Sequence, residues 1–372
     1  MAGARPNFVK VAPLLRALRS RPLFDARLVH TGQHQEPALS DLLFHDLALP
    51  PPDAQLGVGS GTHAVQTAEI MRRFEPVLSG LQPQVVVVVG DVNSTLACAL
   101  VAAKFALDQP FETRAGARRR PLLVHVEAGL RSFDDEMPEE INRRLTDAVA
   151  DLLYVSEPSG LVNLTREGVP GERIELVGNL MIDSLIAEQA EPRATAFVTE
   201  LGLDGPYGVV TLHRPANVDD PGVLEGLLRV LDDLAAALPL VFPVHPRTRA
   251  RLRSRALPLP APRWRLLEPL GYRAFTRLLA SARVVLTDSG GVQEETTFLG
   301  IPCLTLRKTT ERPITVEQGT NLLVGADRQA IQAGFERALA GQVRGRIPRH
   351  WDGRTAERIV DHLQVALGRA AG

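Results

Sequence analysis

Five consecutive valines, Val85–Val89, constrain the fold of this chain more than any other stretch. A run of β-branched residues this short and this apolar is typical of a strand buried on both faces, as in parallel sheets covered by helices. Other short apolar segments, including Leu122–Val126, Leu152–Val155 and 284–286, alternate with helical patterns along the chain. This alternation predicts an α/β fold with doubly wound parallel sheets.

The length of 372 residues predicts two domains, because a single hydrophobic core stops growing at about 250–300 residues. We assign residues 1–178 to the first domain and residues 179–354 to the second. A C-terminal helix at about 355–372 is expected to pack back on the first domain, and a helical pattern over 178–203 connects the two domains. The expected architecture is two Rossmann-like domains with a central crevice.

Three local features carry further expectations. Residues 109–120 form a polar, arginine-rich insertion for which we expect an exposed loop. Thr62 precedes an amphipathic helical pattern and is a candidate N-cap, because its hydroxyl can accept a hydrogen bond from a free amide of the first turn.

The first βα turn, at 3–6, follows only two residues, whereas a strand usually has about 5–6. We therefore expect that most of the first strand is missing and that the native start lies upstream.

Composition excludes several classes of function. The net charge of −1 marks neither a nucleic-acid binder nor a polyanion binder. No apolar run approaches the length of about 18 residues that a membrane span needs, and no signal peptide is present, so we expect a cytoplasmic protein without a membrane partner. Cys98 and Cys303, in apolar or helical contexts, fit core positions in a reducing compartment. Without a cluster of Cys and His at ligand spacing, we expect no metal.

Candidate acids of the first domain lie at the ends of two predicted strands. Glu127 follows Leu122–Val126 and precedes Ala-Gly, so its carboxylate has no obvious helix to cap. Asp91 follows the valine strand after one glycine. Because groups at the carboxyl ends of strands face the ligand crevice in an open α/β sheet, both are candidate catalytic acids.

A helix is predicted to begin at Pro138, because proline suits a first turn whose amides have no intrahelical partner. Glu139 and Glu140 lie in that turn, where the helix dipole favours negative charge. Arg143 and Arg144 follow one turn later. For Glu140 and Arg144 we expect only a capped helix with a solvated charged face, whereas Glu139 is a third candidate acid.

The second domain contains a candidate nucleotide site where the predicted strand at 284–286 continues into TDSGGVQEE, at 287–295. Gly290 and Gly291 let the backbone approach a ligand, and the amides at a helix N-terminus bind phosphate. An acid such as Glu295 can bind ribose hydroxyls. An ordinary βα turn with N-terminal acids would share this pattern, but the combination of both features favours a nucleotide site.

Further polar side chains accompany these turns. In the second domain, they lie at the ends of predicted strands or in the loop at 309–313. They are His213, Arg214, His245 and Arg312. In the first domain, Arg5 and Lys10 lie near the first βα turn. That turn lacks the G-x-G-x-x-G pattern, so a nicotinamide dinucleotide site is poorly supported.

Nine motifs occur in order along almost the whole chain: GARPNFVKVAPL (3–14), HTGQH (30–34), GDVNSTLA (90–97), HVEAGLRSF (125–133), MPEEINR (137–143), VGN (177–179), TLHRPAN (211–217), TDSGGVQEE (287–295) and TTERP (309–313). Together they resemble the motifs of the non-hydrolysing UDP-N-acetylglucosamine 2-epimerases. The resemblance implies a glycosyltransferase-B-like fold, a UDP-sugar bound mainly by the second domain, and no metal or redox cofactor. We also expect a homodimer.

The resemblance also implies roles for individual residues. The implied catalytic residues are Asp91, Glu127, Glu139 and His213, the last near the diphosphate. Ser289, Gly290 and Glu295 are implied to hold UDP, and Phe275 lies where an aromatic side chain contacts uracil. The complete expected substrate-binding set is Arg5, Lys10, Arg143, Arg214, His245, Phe275, Ser289, Gly290, Gly291, Glu295 and Arg312.

The chemistry of the implied substrate indicates a route. The proton at C2 of the sugar has no adjacent carbonyl, so the expected reaction is elimination of UDP to a glycal, followed by re-addition of UDP with protonation of the opposite face of C2. Other C2 epimerases stay open as alternatives, acting on UDP-2,3-diacetamido-glucuronic acid or releasing free N-acetylmannosamine. Two further alternatives are a glycosyltransferase of this fold and a sugar-nucleotide sensor without catalytic activity.

Overall fold

A computed structural model describes residues 1–33, 37–189, 198–199, 201–203, 205–254 and 263–368. The chain divides into two compact units, which we call the first unit (Met1–Ser184 with Arg349–Gly372) and the second unit (Leu185–Pro348). Each unit contains parallel strands alternating with helices. The predicted α/β fold with two Rossmann-like parts is confirmed.

The central sheet of the first unit has four parallel strands in the order β3-β6-β7-β8. Strand β3 is the valine run Val85–Val89, and every residue of β6 (Leu122–Val126) is buried. These are strands that the apolar runs predicted, because a strand covered on both faces is apolar along most of its length. The other strands of this unit are β1 (Val29–His30), β2 (Ala54–Gln55), β4 (Phe111–Thr113), β5 (Gly116–Arg118), β7 (Leu152–Val155) and β8 (Ile174–Leu176).

The first two residues of the chain extend this sheet towards the β1–β2 pair. Ala2 forms a parallel bridge with His30, and its amide donates to the carbonyl of Val29 at 3.0 Å. The amino group of Met1 donates to the carbonyl of Val87 in β3 at 3.0 Å. Residues 1–2 therefore connect strands β1 and β3 through backbone hydrogen bonds.

Helices pack against this sheet through a shared apolar cluster. Thr62 caps α3 by accepting from the amide of Val65 at 3.3 Å, as predicted. Within the helical pattern predicted over 178–203, helix α7 is described from Leu180 to Gln189, and residues 190–197 and 200 lie outside the described part of the chain. The helices of the first part of the chain are α1 (Arg5–Arg19), α2 (Pro37–Asp46), α3 (His63–Leu81), α4 (Asn93–Lys104), α5 (Pro138–Val149), α6 (Pro158–Arg166) and α7 (Leu180–Gln189).

The insertion at 109–120 differs from the prediction of a loop. It contains an antiparallel hairpin of β4 and β5, in which Phe111 pairs with Arg118. Phe111 is buried, and Arg118 forms an ion pair with Asp151 at 2.7 Å. Arg118 and Arg120 thus both pair with Asp151 beside the hairpin, a role that a polar composition alone does not reveal.

The sheet of the second unit has six parallel strands in the order β11-β10-β9-β12-β13-β14. Numbered within the unit this is 3-2-1-4-5-6, the order of Rossmann folds, with a switch point between β9 and β12. Ligands bind at the carboxyl ends of strands beside such a switch point. The strands are β9 (Gly208–Thr211), β10 (Leu240–Pro243), β11 (Trp264–Leu267), β12 (Val284–Thr287), β13 (Cys303–Thr305) and β14 (Asn321–Leu323).

Apolar clusters fill the space between this sheet and its helices. One cluster on one face combines Leu227 and Leu231 with Phe242 and Phe335, and another contains Val209, Val285 and Leu279. The helices of this unit are α8 (Pro215–Val218), α9 (Pro221–Ala235), α10 (Pro246–Ser254), α11 (Tyr272–Ala280), α12 (Gly290–Leu299), α13 (Pro313–Glu317) and α14 (Arg328–Leu339).

The last helix, α15 (Thr355–Ala366), returns to the first unit and packs against α1. The buried carboxylate of Asp183 accepts from the amides of Thr355 at 3.2 Å and Ala356 at 2.8 Å, and so caps this helix across the sequence. The indole of Trp351 donates to the carbonyl of Ser156 at 3.1 Å. Among the helices of the described residues, none combines the length and the hydropathy that a membrane span requires.

Candidate active site

Glu127 occupies a strained position at the end of β6. Its φ of 71° lies in the left-handed region, which is unfavourable for any residue with a side chain. The amides of Glu127 and Ala128 both donate to the carbonyl of Tyr154, at 2.9 and 3.0 Å, and so hold this conformation. Non-glycine residues in such conformations cluster at functional sites. The backbone therefore supports the sequence-based choice of Glu127.

The carboxylate of Glu127 forms a buried ion pair with the ammonium group of Lys10, from α1. A Cβ atom at Gly90 would lie 3.5 Å from Glu127 Oε2 and 3.0 Å from Asn7 Nδ2, and Gly90 has a φ of 73°. The turn that precedes Asp91 thus lies against the Glu127–Lys10 pair. Two predicted site residues from distant parts of the sequence meet here.

Asp91 is held by Arg143. The Nη2 and Nε atoms of the guanidinium lie 2.6 and 3.0 Å from Asp91 Oδ2. The Nη1 atom of the same group lies 2.7 Å from Glu140 Oε2. The side chain of Arg143 is almost fully buried, whereas the side chain of Asp91 is 26% exposed to solvent. Asp91 therefore has a fixed position and remains accessible from solvent.

The expectation of a solvated Glu140 is wrong. Glu140 is buried and accepts from the amide and hydroxyl of Ser132, at 2.9 and 3.0 Å, and from the amide of Phe133 at 3.3 Å. Its i, i+3 spacing places it on the same helix face as Arg143, which turns inward. Arg144, by contrast, is exposed and pairs with Asp135, as expected for a solvated face. Glu139 lies half-buried in the first turn of α5.

Sequence reasoning missed a buried network beneath these acids. His125 lies in β6, with its Nδ1 atom 2.6 Å from Asp147 Oδ1 and its Nε2 atom 2.8 Å from the carbonyl of Gly90. Asp147 also accepts from the amide of Gly129 at 3.0 Å and pairs with Arg131 at 2.7 Å. Burial opposes the charge on Asp147, but His125 and Arg131 outweigh it and hold the pKa of this carboxyl below its usual value. The network connects the turn before Asp91 with the turn after Glu127.

In the second unit, the carboxyl ends of β9 and β12 bring His213 and Asp288 together at the switch point. The Nδ1 atom of His213 lies 2.8 Å from Asp288 Oδ1. Asp288 is fully buried and also accepts from the amides of His213 at 3.0 Å and Arg214 at 2.9 Å. The side-chain amide of Asn217 donates to it at 3.2 Å.

His245, at the end of β10, lies beside this pair. The ring centroids of His213 and His245 are 5.6 Å apart and the rings are inclined by 41°. The Nδ1 atom of His245 accepts from the amide of Arg247 at 3.2 Å, in the first turn of α10. His213, Arg214 and His245, which the sequence placed at strand ends, are therefore neighbours.

The glycine turn after Asp288 begins α12. Ser289 is the N-cap residue, and the amides of Gly290 and Gly291 lie in the first turn, where they are available to an anion. A Cβ atom at Gly290 would lie 2.6 Å from Arg312 Nη1 and 2.8 Å from Glu311 Oε1. A side chain at this position would displace the guanidinium from the turn, so the motifs TDSGG and TTERP lie in contact.

A charged cluster lies buried beneath the glycine turn. Arg312 Nε lies 2.9 Å from Glu294 Oε1, and its guanidinium also pairs with Glu311. Glu295 follows on the same helix, and burial raises the pKa of its carboxyl to about 8, with the charge of Glu294 adding to the shift. Phe275, on α11, is half-buried against the apolar cluster that contains Val209 and Leu279.

Comparison with known proteins decides the family. The family model described as UDP-N-acetylglucosamine 2-epimerase matches residues 16–364. The chain belongs to this family. A relative from Methanocaldococcus jannaschii, named UDP-N-acetylglucosamine 2-epimerase, is 40% identical over 370 residues, with 96% of each chain covered. Another from Pseudomonas aeruginosa, named UDP-2,3-diacetamido-2,3-dideoxy-D-glucuronate 2-epimerase, is 36% identical over 364 residues, with 97% of each chain covered.

Solved structures of this epimerase family have the same fold. The crystal structure of the Methanocaldococcus jannaschii epimerase in complex with UDP-GlcNAc and UDP has a TM-score of 0.86, 37% identity and 98% coverage of both chains. The structure described as S. aureus MnaA with UDP has a TM-score of 0.87 and 30% identity, covering 100% of this chain and 96% of that one.

Within this epimerase-family chain, the structure gathers the predicted site residues into groups. In the first unit, the Lys10–Glu127 pair adjoins the turn that carries Asp91 and its partner Arg143. In the second unit, His213, Arg214 and His245 form one group, and Gly290 and Arg312 form another. The side chain of Arg5, the remaining predicted residue of α1, lies outside the described part of the chain.

Proposed function

We propose that this protein interconverts UDP-N-acetylglucosamine and UDP-N-acetylmannosamine by inversion at C2, without hydrolysis of the bond to UDP. The observation that carries the proposal is the match to a 2-epimerase of this name at 40% identity over 96% of both chains. The held carboxylates of the first unit and the glycine turn of the second unit are consistent with it.

The first unit would supply acid–base catalysis. In the elimination step the C1–O bond breaks, its electron pair leaves with UDP, and the C2 proton passes to a carboxylate as the C1–C2 double bond of a glycal forms. In the reverse step UDP adds to C1 while a carboxylic acid returns a proton to the opposite face of C2. Asp91, Glu127 and Glu139 are the proposed acid–base residues, since proton transfer by a positioned carboxyl is typical of such steps.

The second unit would hold the nucleotide. Amides at a helix N-terminus and cationic side chains stabilise the charge that develops on a departing diphosphate. We assign this role to Ser289, Gly290 and Gly291 of the turn, with His213 and Arg214 at the end of the neighbouring strand. Glu295 is proposed to bind ribose hydroxyls and Phe275 to contact uracil, with Arg5, Lys10, Arg143, His245 and Arg312 completing the binding set.

A second candidate substrate is UDP-2,3-diacetamido-glucuronic acid, because the Pseudomonas aeruginosa relative named for that sugar is 36% identical over nearly the full length. The two candidates differ in the groups at C3 and C6, whereas the chemistry at C2 is the same. The reaction assignment therefore does not depend on which sugar is preferred.

A substrate panel tests the assignment. The full chain would be incubated separately with UDP-N-acetylglucosamine and with the diacetamido-glucuronate nucleotide, and UDP-linked products would be separated by ion-exchange chromatography. We expect the manno epimer of UDP-N-acetylglucosamine to form with the higher kcat/KM. A higher kcat/KM with the acidic sugar would mean that the diacetamido-glucuronate nucleotide is the substrate. Release of free N-acetylmannosamine would mean that the enzyme is a hydrolysing epimerase.

We also propose that the protein acts as a cytoplasmic homodimer that supplies an amino sugar for cell-surface polysaccharides. The two buried free cysteines suit a reducing compartment. The exposed side chain of Ile141 on α5, together with Met71 on α3, lines a groove of about 400 Å³ that suits a second copy. Light scattering on Ile141→Glu tests the dimer, since this change should yield monomers, and an unchanged mass would place the interface elsewhere.

A further inference from the structure

Asp288 is not among the residues that the sequence assigned to the site, yet its carboxylate organises the carboxyl edge of the second unit's sheet. It lies at the end of β12, fully buried, and accepts from the amides of His213 and Arg214 and the side chain of Asn217. These contacts hold the turn after β9, which carries the proposed catalytic His213. The carboxylate of Asp288 also contacts the imidazole ring itself, with Oδ1 at 2.8 Å from Nδ1 of His213.

The charge of Asp288 decides which ring nitrogen carries a proton. Burial opposes the charged form of Asp288, but the ring of His213 and the backbone amides outweigh burial and hold the pKa of the carboxyl below its usual value. An ionised carboxylate only accepts hydrogen bonds. The Nδ1 atom of His213 must therefore carry a proton and donate a hydrogen bond to Asp288. This leaves Nε2 as the ring nitrogen that can contact a ligand.

The neighbouring ring has the opposite arrangement. The Nδ1 atom of His245 accepts from the amide of Arg247, so a neutral His245 ring carries its proton on Nε2. The two neutral rings, with centroids 5.6 Å apart, thus carry their protons on different nitrogen atoms. In its neutral form His213 presents an acceptor at Nε2, whereas His245 presents a donor there.

We propose that Asp288 is a positioning residue that fixes the Nδ1–H tautomer and the orientation of His213, so that Nε2 faces the diphosphate of the nucleotide sugar. There Nε2 takes up a proton, and the resulting imidazolium, paired with the Asp288 carboxylate, donates to the departing diphosphate. The role in turnover rests on the proposed function, whereas the tautomers do not. An aspartate that fixes a histidine tautomer in this way is known to affect turnover through the ring rather than through its own contact with substrate.

The first test is spectroscopic and needs no activity. The full chain, with ¹⁵N-labelled histidine, would be recorded in long-range ¹H–¹⁵N correlation spectra at a pH well above the usual histidine pKa of about 6.5. His213→Gln and His245→Gln would assign the two rings. We expect the proton of His213 on Nδ1 and that of His245 on Nε2. A His213 ring protonated on Nε2 in the unaltered chain would overturn the proposal.

The second test is Asp288→Asn. Asparagine keeps an oxygen for the amides of His213 and Arg214 but can donate to Nδ1 through its Nδ2, so we expect the ring proton to move to Nε2. Turnover should fall by about 10²-fold or more, with the Kd of UDP nearly unchanged. Asp220→Asn is the matched control, because Asp220 caps α9 in the same unit by accepting from the amide of Val223. The control should retain both tautomers and normal turnover.

Each outcome has a separate meaning. A changed tautomer in Asp288→Asn together with normal turnover would show that the tautomer of His213 does not affect turnover, and would overturn the proposal. An unaltered chain that binds UDP but does not epimerise UDP-sugars would overturn the proposed function instead. The spectra of the unaltered chain would still decide the orientation of His213, even if Asp288→Asn did not fold.

Discussion

The guanidinium of Arg143 lies 2.6 Å from the carboxylate of Asp91 and 2.7 Å from that of Glu140. One buried cation thus joins a proposed acid–base residue to the carboxylate that holds the loop before α5. The position of Asp91 therefore depends on residues that need not contact the substrate. The first prediction concerns this arrangement.

Arg143→Gln should destabilise the first unit by roughly 3–5 kcal/mol, because it leaves the buried Glu140 without its cationic partner. The double variant Arg143→Gln, Glu140→Gln should recover part of that loss, since it removes the unpaired charge as well. Urea unfolding of the single and double variants measures both effects. Equal stability of Arg143→Gln and the unaltered chain would mean that Arg143 does not balance a buried charge.

Glu127→Gln should bind UDP normally and lose turnover by about 10²–10⁴-fold, the usual contribution of one general acid–base group. Its left-handed backbone and its ion pair with Lys10 motivate this choice. Glu136→Gln, an exposed acid in the loop before α5, is the matched control and should behave as the unaltered chain. Calorimetry with UDP and initial rates with UDP-N-acetylglucosamine separate binding from turnover. Near-normal turnover of Glu127→Gln would exclude it as an acid–base residue.

Phe133→Gly should raise the free energy of unfolding by up to about 1 kcal/mol, because glycine adopts a left-handed backbone without the strain of a side chain. Phe133 has a φ of 56° and is 77% exposed to solvent, so its side chain contributes little to packing. Phe133→Ala is the control, since alanine keeps the strain and should not stabilise. Thermal melts of the three proteins would show the order, and a stabilised alanine variant with a destabilised glycine variant would contradict the argument.

The raised pKa of Glu295 predicts a pH-dependent difference in stability. Its carboxyl titrates near 4.5 in the unfolded chain and at about 8 in the folded one, so the folded state binds more protons between these values. The contribution of Glu295 to the free energy of unfolding therefore falls as pH rises through this range. Glu295→Gln removes this dependence, so its stability relative to the unaltered chain should increase from pH 4.5 to 8. Melting temperatures across this range test the sign, and a difference that stays constant would contradict the raised pKa.

The sequence predicts the buried strands of this fold well, and the short edge elements poorly. The valine run and Leu122–Val126 stand out because both faces of each strand are covered. The two-residue strand β2 and the hairpin of β4 and β5 have no such signature, because half-exposed pairing depends on neighbours distant in sequence.

The candidate site shows the same division. Strand-end position selected Glu127, His213 and Asp91 as candidates, because a parallel sheet brings the carboxyl ends of its strands to one edge. It did not identify His125 or Asp288, whose roles depend on partners 22 and 75 residues away in sequence. A histidine inside an apolar strand is a signal that could have identified His125, since a buried imidazole needs hydrogen-bond partners.

The most direct test of the central claim is turnover of UDP-N-acetylglucosamine by the full chain in D₂O, followed by proton NMR. The account predicts a UDP-linked N-acetylmannosamine product that carries deuterium at C2, because one group removes the proton and solvent supplies the one returned. Free N-acetylmannosamine, or a UDP-linked epimer that retains its original proton at C2, would contradict elimination and re-addition with separate acid–base groups.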